Sequence, residues 1–215
     1  MLDILAATLL LAVGWPLLGA VALLILAQRD GKVLFRQERP GKEGKIFLCC
    51  KFRTMRAEKY PGETDMQRMT GVGRFLRRFS LDELPQLWNI LRGEMSFIGP
   101  RPLLPEYIAY YTQQQCRRHE TRPGLTGWAQ VHGRNALDWE TRLALDCWYV
   151  EHQSFRLDVQ ICLRTIGKLF SGDGVNAGKT QTAERFTDYV LRNDAIRHGE
   201  AAPALLAAAQ GNQVL

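Results

Sequence analysis

From Ile4 to Ala27 the chain runs for 24 residues without a charge, and no other feature limits its fold so tightly. As one helix rising ~1.5 Å per residue this run is roughly 36 Å long, enough to cross a hydrocarbon core of about 30 Å. Lipid or a partner must therefore cover it. A cleaved signal peptide is a poor fit. The chain opens Met1-Leu2-Asp3 without a basic residue, the apolar run exceeds the usual length, and no small-residue cleavage pattern closes it. Pro16 lies near the centre, between Gly14 and Gly19. It removes the hydrogen bond to the Ala12 carbonyl and costs a regular helix about 3 kcal/mol, so the helix is expected to kink or break there. Two outcomes stand level on residue physics: a kinked spanning helix, and a helix that turns back so that both ends leave on one face.

The other residues must offset this run, because mean hydropathy over the chain is −0.19. That value excludes a protein with several membrane spans. With 215 residues, 46% hydrophobic and 23% charged, the composition is that of one globular domain with an appendage. Lys and Arg outnumber Asp and Glu 28 to 22, giving +6 and a call for an anionic partner: nucleic acid, a lipid surface or a phosphorylated substrate. The basic part starts where the apolar run ends, at Gln28-Arg29, which orients it toward the cytoplasm. Five cysteines, an odd number without C-x-x-C spacing, read as reduced thiols and agree with that compartment.

Val33–Gln37 and Lys45–Met55 alternate as extended runs around Arg39-Pro40-Gly41-Lys42-Glu43-Gly44. They predict a small β-hairpin with a type II turn at Pro-Gly. Glu58–Arg68 reads as a loop, Gly73–Phe79 as a basic amphipathic helix, and Leu84–Leu91 as a second apolar helical face. Further helices are expected at about Pro105–His119, Trp139–His152 and Leu157–Phe170, with a loose tail from Gly199. The fold class is thus α+β, mostly helical. Segment by segment, 1–30 is expected as the membrane segment, 31–198 as the folded, membrane-associated part and 199–215 as the tail.

Ser80-Leu81-Asp82-Glu83-Leu84-Pro85 matches a capping box at a helix start, with acidic residues at the positive helix end. Its neighbours suggest more. Arg74, Arg77 and Arg78 precede the carboxylates, so the site could hold a divalent cation while arginines take phosphate oxygens. An ionised carboxylate there is also a competent nucleophile toward phosphorus. Gly99-Pro100-Arg101-Pro102 and Arg122-Pro123-Gly124 repeat one device, an arginine on a proline-stiffened backbone, and with Lys51-Phe52-Arg53 they suit an anion. Gly172–Thr180 is a near miss to a P-loop, with Asp173 where glycine is required. The four histidines lack zinc spacing. A membrane-anchored basic module binding anionic lipid or nucleic acid is the rival reading from another class.

The segments RQERPGKEGKIF, KFRTM, LRRFSLDELPQLWNILRGEMSFIGPRP, RPGLTGWAQVHGRN and LDCWYVEHQSFRLD span about Phe35 to Asp158. This stretch resembles the bacterial sugar transferases known as monotopic phosphoglycosyl transferases. The resemblance implies transfer of a sugar 1-phosphate from a UDP-sugar to polyprenyl (undecaprenyl) phosphate with release of UMP, as the first membrane step of glycoconjugate assembly. It implies a catalytic dyad at Asp82 and Glu83, Asp82 being the nucleophile and both lying at a magnesium site. It places Asp146 near the metal or the reacting phosphate. Lys51, Arg53, Arg77, Arg101 and Arg122 are the expected phosphate-binding residues. The resemblance further implies a helix that re-enters at Pro16, a catalytic domain on the cytoplasmic face of the inner membrane, membrane lipid as a partner and no nucleic acid.

Overall fold

The computed structural model describes residues 2–28, 32–133, 136–171 and 185–192. The P-loop-like segment at 172–180 and the tail from 199 lie outside them. Helix α1 covers Leu2–Leu26, and its helical backbone continues through Pro16. The expected break is therefore corrected: a proline removes a single N–H, and the helix carries on past it. One stripe of α1 faces the protein. Asp3, Ala7, Leu11, Gly14, Leu18, Val21 and Ile25 are shielded at spacings of three and four, the period of one helix face. Ala7 and Leu11 pack with Phe47, Cys49, Leu87, Ile90 and Met95, and Leu18, Val21 and Ile25 pack with Phe52 and Leu76. Between these two seats Val13, Trp15 and Leu17 stand exposed around Pro16.

Strands β1 (Leu34–Pro40) and β2 (Ile46–Phe52) pair antiparallel, with Leu34 opposite Phe52 and Pro40 opposite Ile46. The hairpin stands as expected, but its turn differs. Pro40 still belongs to the ladder, so the chain reverses later, through Glu43 and Gly44 at positive φ (57° and 74°), whereas Gly41 keeps φ −97°. A type II turn would need Gly41 at positive φ. The free edge of β2 is covered by one side chain. Asn89 accepts from the Cys50 N–H (3.1 Å) and donates to the Leu48 carbonyl (2.8 Å).

A single helical turn, α2 (Asp65–Arg68), interrupts the expected loop because Thr64 and Gln67 form a capping box. Helix α3 (Gly71–Arg78) is capped by Thr70, whose hydroxyl accepts from the Gly73 N–H. A 3₁₀ segment, Leu81–Gln86, leads into α4 (Leu87–Leu91). Strand β3 (Ser96–Ile98) pairs in parallel with β4 (Gly124–Thr126), a pairing that local pattern did not reveal. The helix expected from Pro105 to His119 is three pieces: a 3₁₀ segment at Pro105–Tyr110, α5 (Gln113–Cys116) and a 3₁₀ turn at Arg117–His119. Thr112 explains the interruption, since it starts a new capping box with Gln115. Then follow α6 (Trp128–His132), α7 (Trp139–Glu151), α8 (Phe155–Ser171) and α9 (Phe186–Arg192). Helix α8 buries Leu157 and Ile161 and leaves Phe155, Val159, Leu163 and Ile166 exposed along another face. The molecule is thus mostly helical with a small hairpin.

Candidate active site

The Leu81–Gln86 segment lies against β2, and this contact brings Glu83 to Lys51. Lys51 Nζ donates to Glu83 Oε1 at 2.6 Å, and Arg101 Nη2 donates to the same oxygen at 2.9 Å. The capping box expected here is absent. Ser80 makes no side-chain cap bond, and Glu83, its supposed partner, is turned to the two cations. Ser80 instead adopts φ 55°, a left-handed conformation that costs a residue with a Cβ of order 1 kcal/mol. That bend sends Asp82 and Glu83 inward, Asp82 being 8% exposed.

The two adjacent carboxylates are held differently. Burial alone would raise the Glu83 pKa, but Arg101 and Lys51 overcome it and hold the group at about 2. Burial and the neighbouring Glu83 charge push Asp82 above its ordinary value, against the pull of Lys51, Arg77 and Arg101. Among the described residues no hydrogen bond or ion pair reaches the Asp82 carboxylate. Two negative charges thus sit among three positive ones, Lys51, Arg77 and Arg101, and one of the two remains uncommitted. Such a group can take a metal ion or attack an electrophile.

Arg77 is fixed from behind. Its Nε donates to Thr54 Oγ1 at 3.1 Å, and buried Thr54 is pressed onto α3 at Gly73, where a Cβ would collide with the Thr54 carbonyl. Arg53, just past the end of β2, lines a small cleft with Ile25, Gln28, Thr54, Met55 and Thr70. The two proline-arginine loops are neighbours. Gly99 N donates to the Thr126 carbonyl and Gly124 N to the Pro100 carbonyl, each at 2.9 Å. A Cβ on Gly99, Gly124 or Gly127 would strike the backbone of the facing loop. Arg122 is nevertheless used elsewhere. Its Nη2 donates to Asp3 Oδ2 at 3.3 Å, and that oxygen also accepts from Ser96 Oγ at 2.9 Å, so Arg122 fastens the start of α1.

Asp146 is buried and does not touch the Asp82–Glu83 pair. It accepts from Arg118 Nη2 at 2.7 Å, and the same nitrogen donates to the Arg101 carbonyl at 2.6 Å. Arg118, which the motif reading missed, therefore carries the influence of Asp146 to the loop that bears Arg101. The pair is 1% and 2% exposed, so losing either partner would strand a buried charge at a cost of about 3–5 kcal/mol. Arg39 supports the same loop by donating to the Pro102 carbonyl (3.4 Å). His119 Nδ1 donates to the Gly41 carbonyl (3.2 Å) and ties the hairpin turn alongside. Burial, with the Arg118 charge, drops the His119 pKa to about 3 and keeps the ring neutral.

Among the described residues no group of three or more His, Cys, Asp or Glu side chains gathers as a ready-made metal cage. The Asp82 carboxylate and the second Glu83 oxygen are hard donors, and magnesium commonly takes only one or two carboxylates with substrate oxygens and water. The two residues fit magnesium in that partial form.

A family model described as "Bacterial sugar transferase" matches residues 1–172. The chain belongs to the bacterial sugar transferase family. Among its relatives, the sugar transferase EpsL of Bacillus subtilis is 49% identical over 158 residues, covering 72% of this chain and 78% of that one. The UDP-glucose:undecaprenyl-phosphate glucose-1-phosphate transferase of Caulobacter vibrioides is 43% identical over 185 residues, 80% of this chain and 69% of its own. The undecaprenyl-phosphate galactose phosphotransferase of Salmonella typhimurium is 36% identical over 196 residues, 80% of this chain but 40% of its own. The matched region of this sugar transferase includes α1, the hairpin, both proline-arginine loops and the Asp82–Glu83 pair.

Proposed function

We propose that this sugar transferase moves a sugar 1-phosphate from a UDP-sugar to polyprenyl phosphate, undecaprenyl phosphate in the relatives' names, through a covalent phosphosugar on Asp82. The observation that carries the mechanism is the contrast between the two carboxylates. Glu83 is neutralised by Lys51 and Arg101, while Asp82 is desolvated, unpaired and surrounded by cations. Desolvation raises nucleophilicity, and an aspartate needs no base to attack phosphorus. Asp82 Oδ forms a bond to the β-phosphorus, the bond from that phosphorus to the bridging oxygen breaks, and UMP departs with the electron pair. An oxygen of the lipid phosphate then attacks the same phosphorus and returns the aspartate as carboxylate. Arg101 and Lys51 offset the charge that builds on the diphosphate. Magnesium, held by Asp82 and the second Glu83 oxygen, would add neutralisation of the leaving nucleotide. Arg118 and Asp146 hold the Arg101 loop, a positioning role in place of the metal or phosphate contact expected of Asp146.

We further infer that α1 re-enters the membrane, with residues 1–30 as the membrane helix and 31–198 as a catalytic domain on the cytoplasmic face. The two seats of α1 on one domain support this, since Asp3 is fastened to Ser96 and Arg122 while Ile25 packs on Leu76. The exposed side chains around Pro16, and the outward face of α8, are the apolar surfaces that lipid would cover. Intact-mass spectrometry after incubation with a panel of UDP-sugars and magnesium, without lipid, tests the mechanism. A phosphosugar adduct that Asp82→Asn lacks is expected. UMP release that strictly requires the lipid acceptor would overturn the covalent step.

A further inference from the structure

We propose that Phe186 of α9 is a positioning residue for the transfer site: it closes the aromatic cluster on which the Arg101 loop is seated, and through that cluster it fixes where the Arg101 guanidinium stands. The inference rests on the reading above that Arg101 meets the diphosphate of the donor.

Helix α9 lies outside residues 1–172, the span that the family model matches. Its inner face is nevertheless part of the core. Phe186 is fully shielded, and Val190, one turn on and therefore on the same face, is buried beside it. Three rings surround Phe186, with centroids at 5.5 Å for Tyr107, 5.5 Å for Tyr111 and 5.2 Å for Trp139. Their planes are tilted against Phe186 by 45° to 61°, within the preferred range for aromatic pairs, so the cluster has a defined geometry as well as a defined volume.

Two paths lead from this cluster to Arg101. The first is the backbone. Leu103 and Leu104 follow Arg101-Pro102 directly and pack into the cluster, so the far side of the loop is seated there. The second is a line of hydrogen bonds. Tyr111 Oη accepts from Arg118 Nη1 at 3.3 Å, the Arg118 guanidinium lies over the Tyr111 ring, and Arg118 Nη2 donates to the Arg101 carbonyl at 2.6 Å. Both paths act on the Arg101 main chain. The Arg101 side chain is itself 45% exposed, so few neighbours confine it and its reach to Glu83 depends on where that main chain stands. A shift of about 1 Å at such a group can cost on the order of a hundredfold in rate. A smaller side chain at 186 leaves a gap against Tyr111, into which Tyr111 and the Leu103–Leu104 step can relax.

Two measurements on the whole chain in detergent test the brace. Hydrogen exchange reads it without catalysis, because the Gly124 N–H is bonded to the Pro100 carbonyl, next to Arg101, and reports on that loop. Phe186→Leu, which stays apolar but gives up the ring contacts, should speed exchange at Gly124 several-fold and leave the β1–β2 ladder unchanged. Kinetics reads the consequence. Phe186→Leu should lower kcat/KM for the UDP-sugar roughly threefold to tenfold, and Tyr111→Phe, which removes only the hydroxyl that meets Arg118, should act in the same direction by a smaller factor. In an Arg101→Lys background the guanidinium fork is already lost, so Phe186→Leu should cost less than about twofold more, since two changes that act through one group do not add. Unchanged exchange at Gly124, equal acceleration along the hairpin, or an undiminished loss in the Arg101→Lys background would overturn the positioning role. Absence of UMP release by the wild-type enzyme with every UDP-sugar would instead overturn the reaction, and the exchange measurement would still decide the brace.

Discussion

Asp82 and Glu83 are adjacent, yet their surroundings drive their acidities apart. Two cations on Glu83 hold it at about 2, whereas burial and the Glu83 charge lift Asp82 above its ordinary 3.8. The signs lead to separate consequences. A depressed carboxylate stabilises the fold above its unfolded pKa, so the Glu83 contribution, about 2–3 kcal/mol, is present above the ordinary 4.5 and lost as pH falls toward about 2. A nucleophile must be ionised, so activity falls on the acid side as pH drops through the raised pKa of Asp82. Replacing Glu83 by Gln removes the adjacent negative charge and releases Lys51 and Arg101 to act on Asp82. The acid limb of the UMP-release profile should therefore move to lower pH in Glu83→Gln, whatever happens to its height. A limb that stays in place or moves upward would show that Glu83 does not set the acidity of Asp82. The sequence identified this pair but mistook how it is held. A capping box and an ion-paired glutamate share one local pattern, and only the approach of β2 and the Arg101 loop separates them.

At the level of elements, close backbone approach decides where α3 sits. Gly73 lies against the Thr54 carbonyl, so a methyl group there must push α3 off its seat, whereas Gly71, two residues earlier, faces open space. Gly73→Ala should lower the thermal midpoint by the equivalent of about 1–3 kcal/mol, while Gly71→Ala should be neutral or slightly stabilising. Differential scanning fluorimetry in detergent compares them, and equal midpoints would remove Gly73 from the account of α3. Because Arg77 is aimed by Thr54, the same displacement should reach the site. Long periodic elements, α7, α8 and the hairpin strands, were legible because their spacing repeats over several turns or residues. The short β3–β4 pair was not. Three-residue strands carry no period, and their partner lies 28 positions away, from Ser96 to Gly124.

For the whole molecule the decisive relation is between α1 and the domain. If both ends of α1 lie on the cytoplasmic face, a cysteine placed at residue 2 should resist a membrane-impermeant thiol reagent in intact cells and react once the membrane is opened. Modification in intact cells would overturn the re-entrant arrangement. Pro16→Leu tests the cause. It restores the missing hydrogen bond, so labelling should move outward if the proline is what keeps α1 from spanning the membrane. Unchanged labelling would mean that the two seats, Asp3 on Arg122 and Ile25 on Leu76, hold the helix by themselves.

The sequence by itself determined that the chain needs an apolar environment for α1, that the charge of its remainder is basic, and which short motifs concentrate that charge. Those properties are sums or local patterns, and each is complete within a few neighbouring residues. Only the tertiary structure decided which motif meets which. It joined Lys51, Glu83 and Arg101, gave Arg122 to Asp3, and set Asp146 behind Arg118. An ion pair between positions 3 and 122 leaves no trace in either local segment, because its energy depends on a distance that the whole fold must first create.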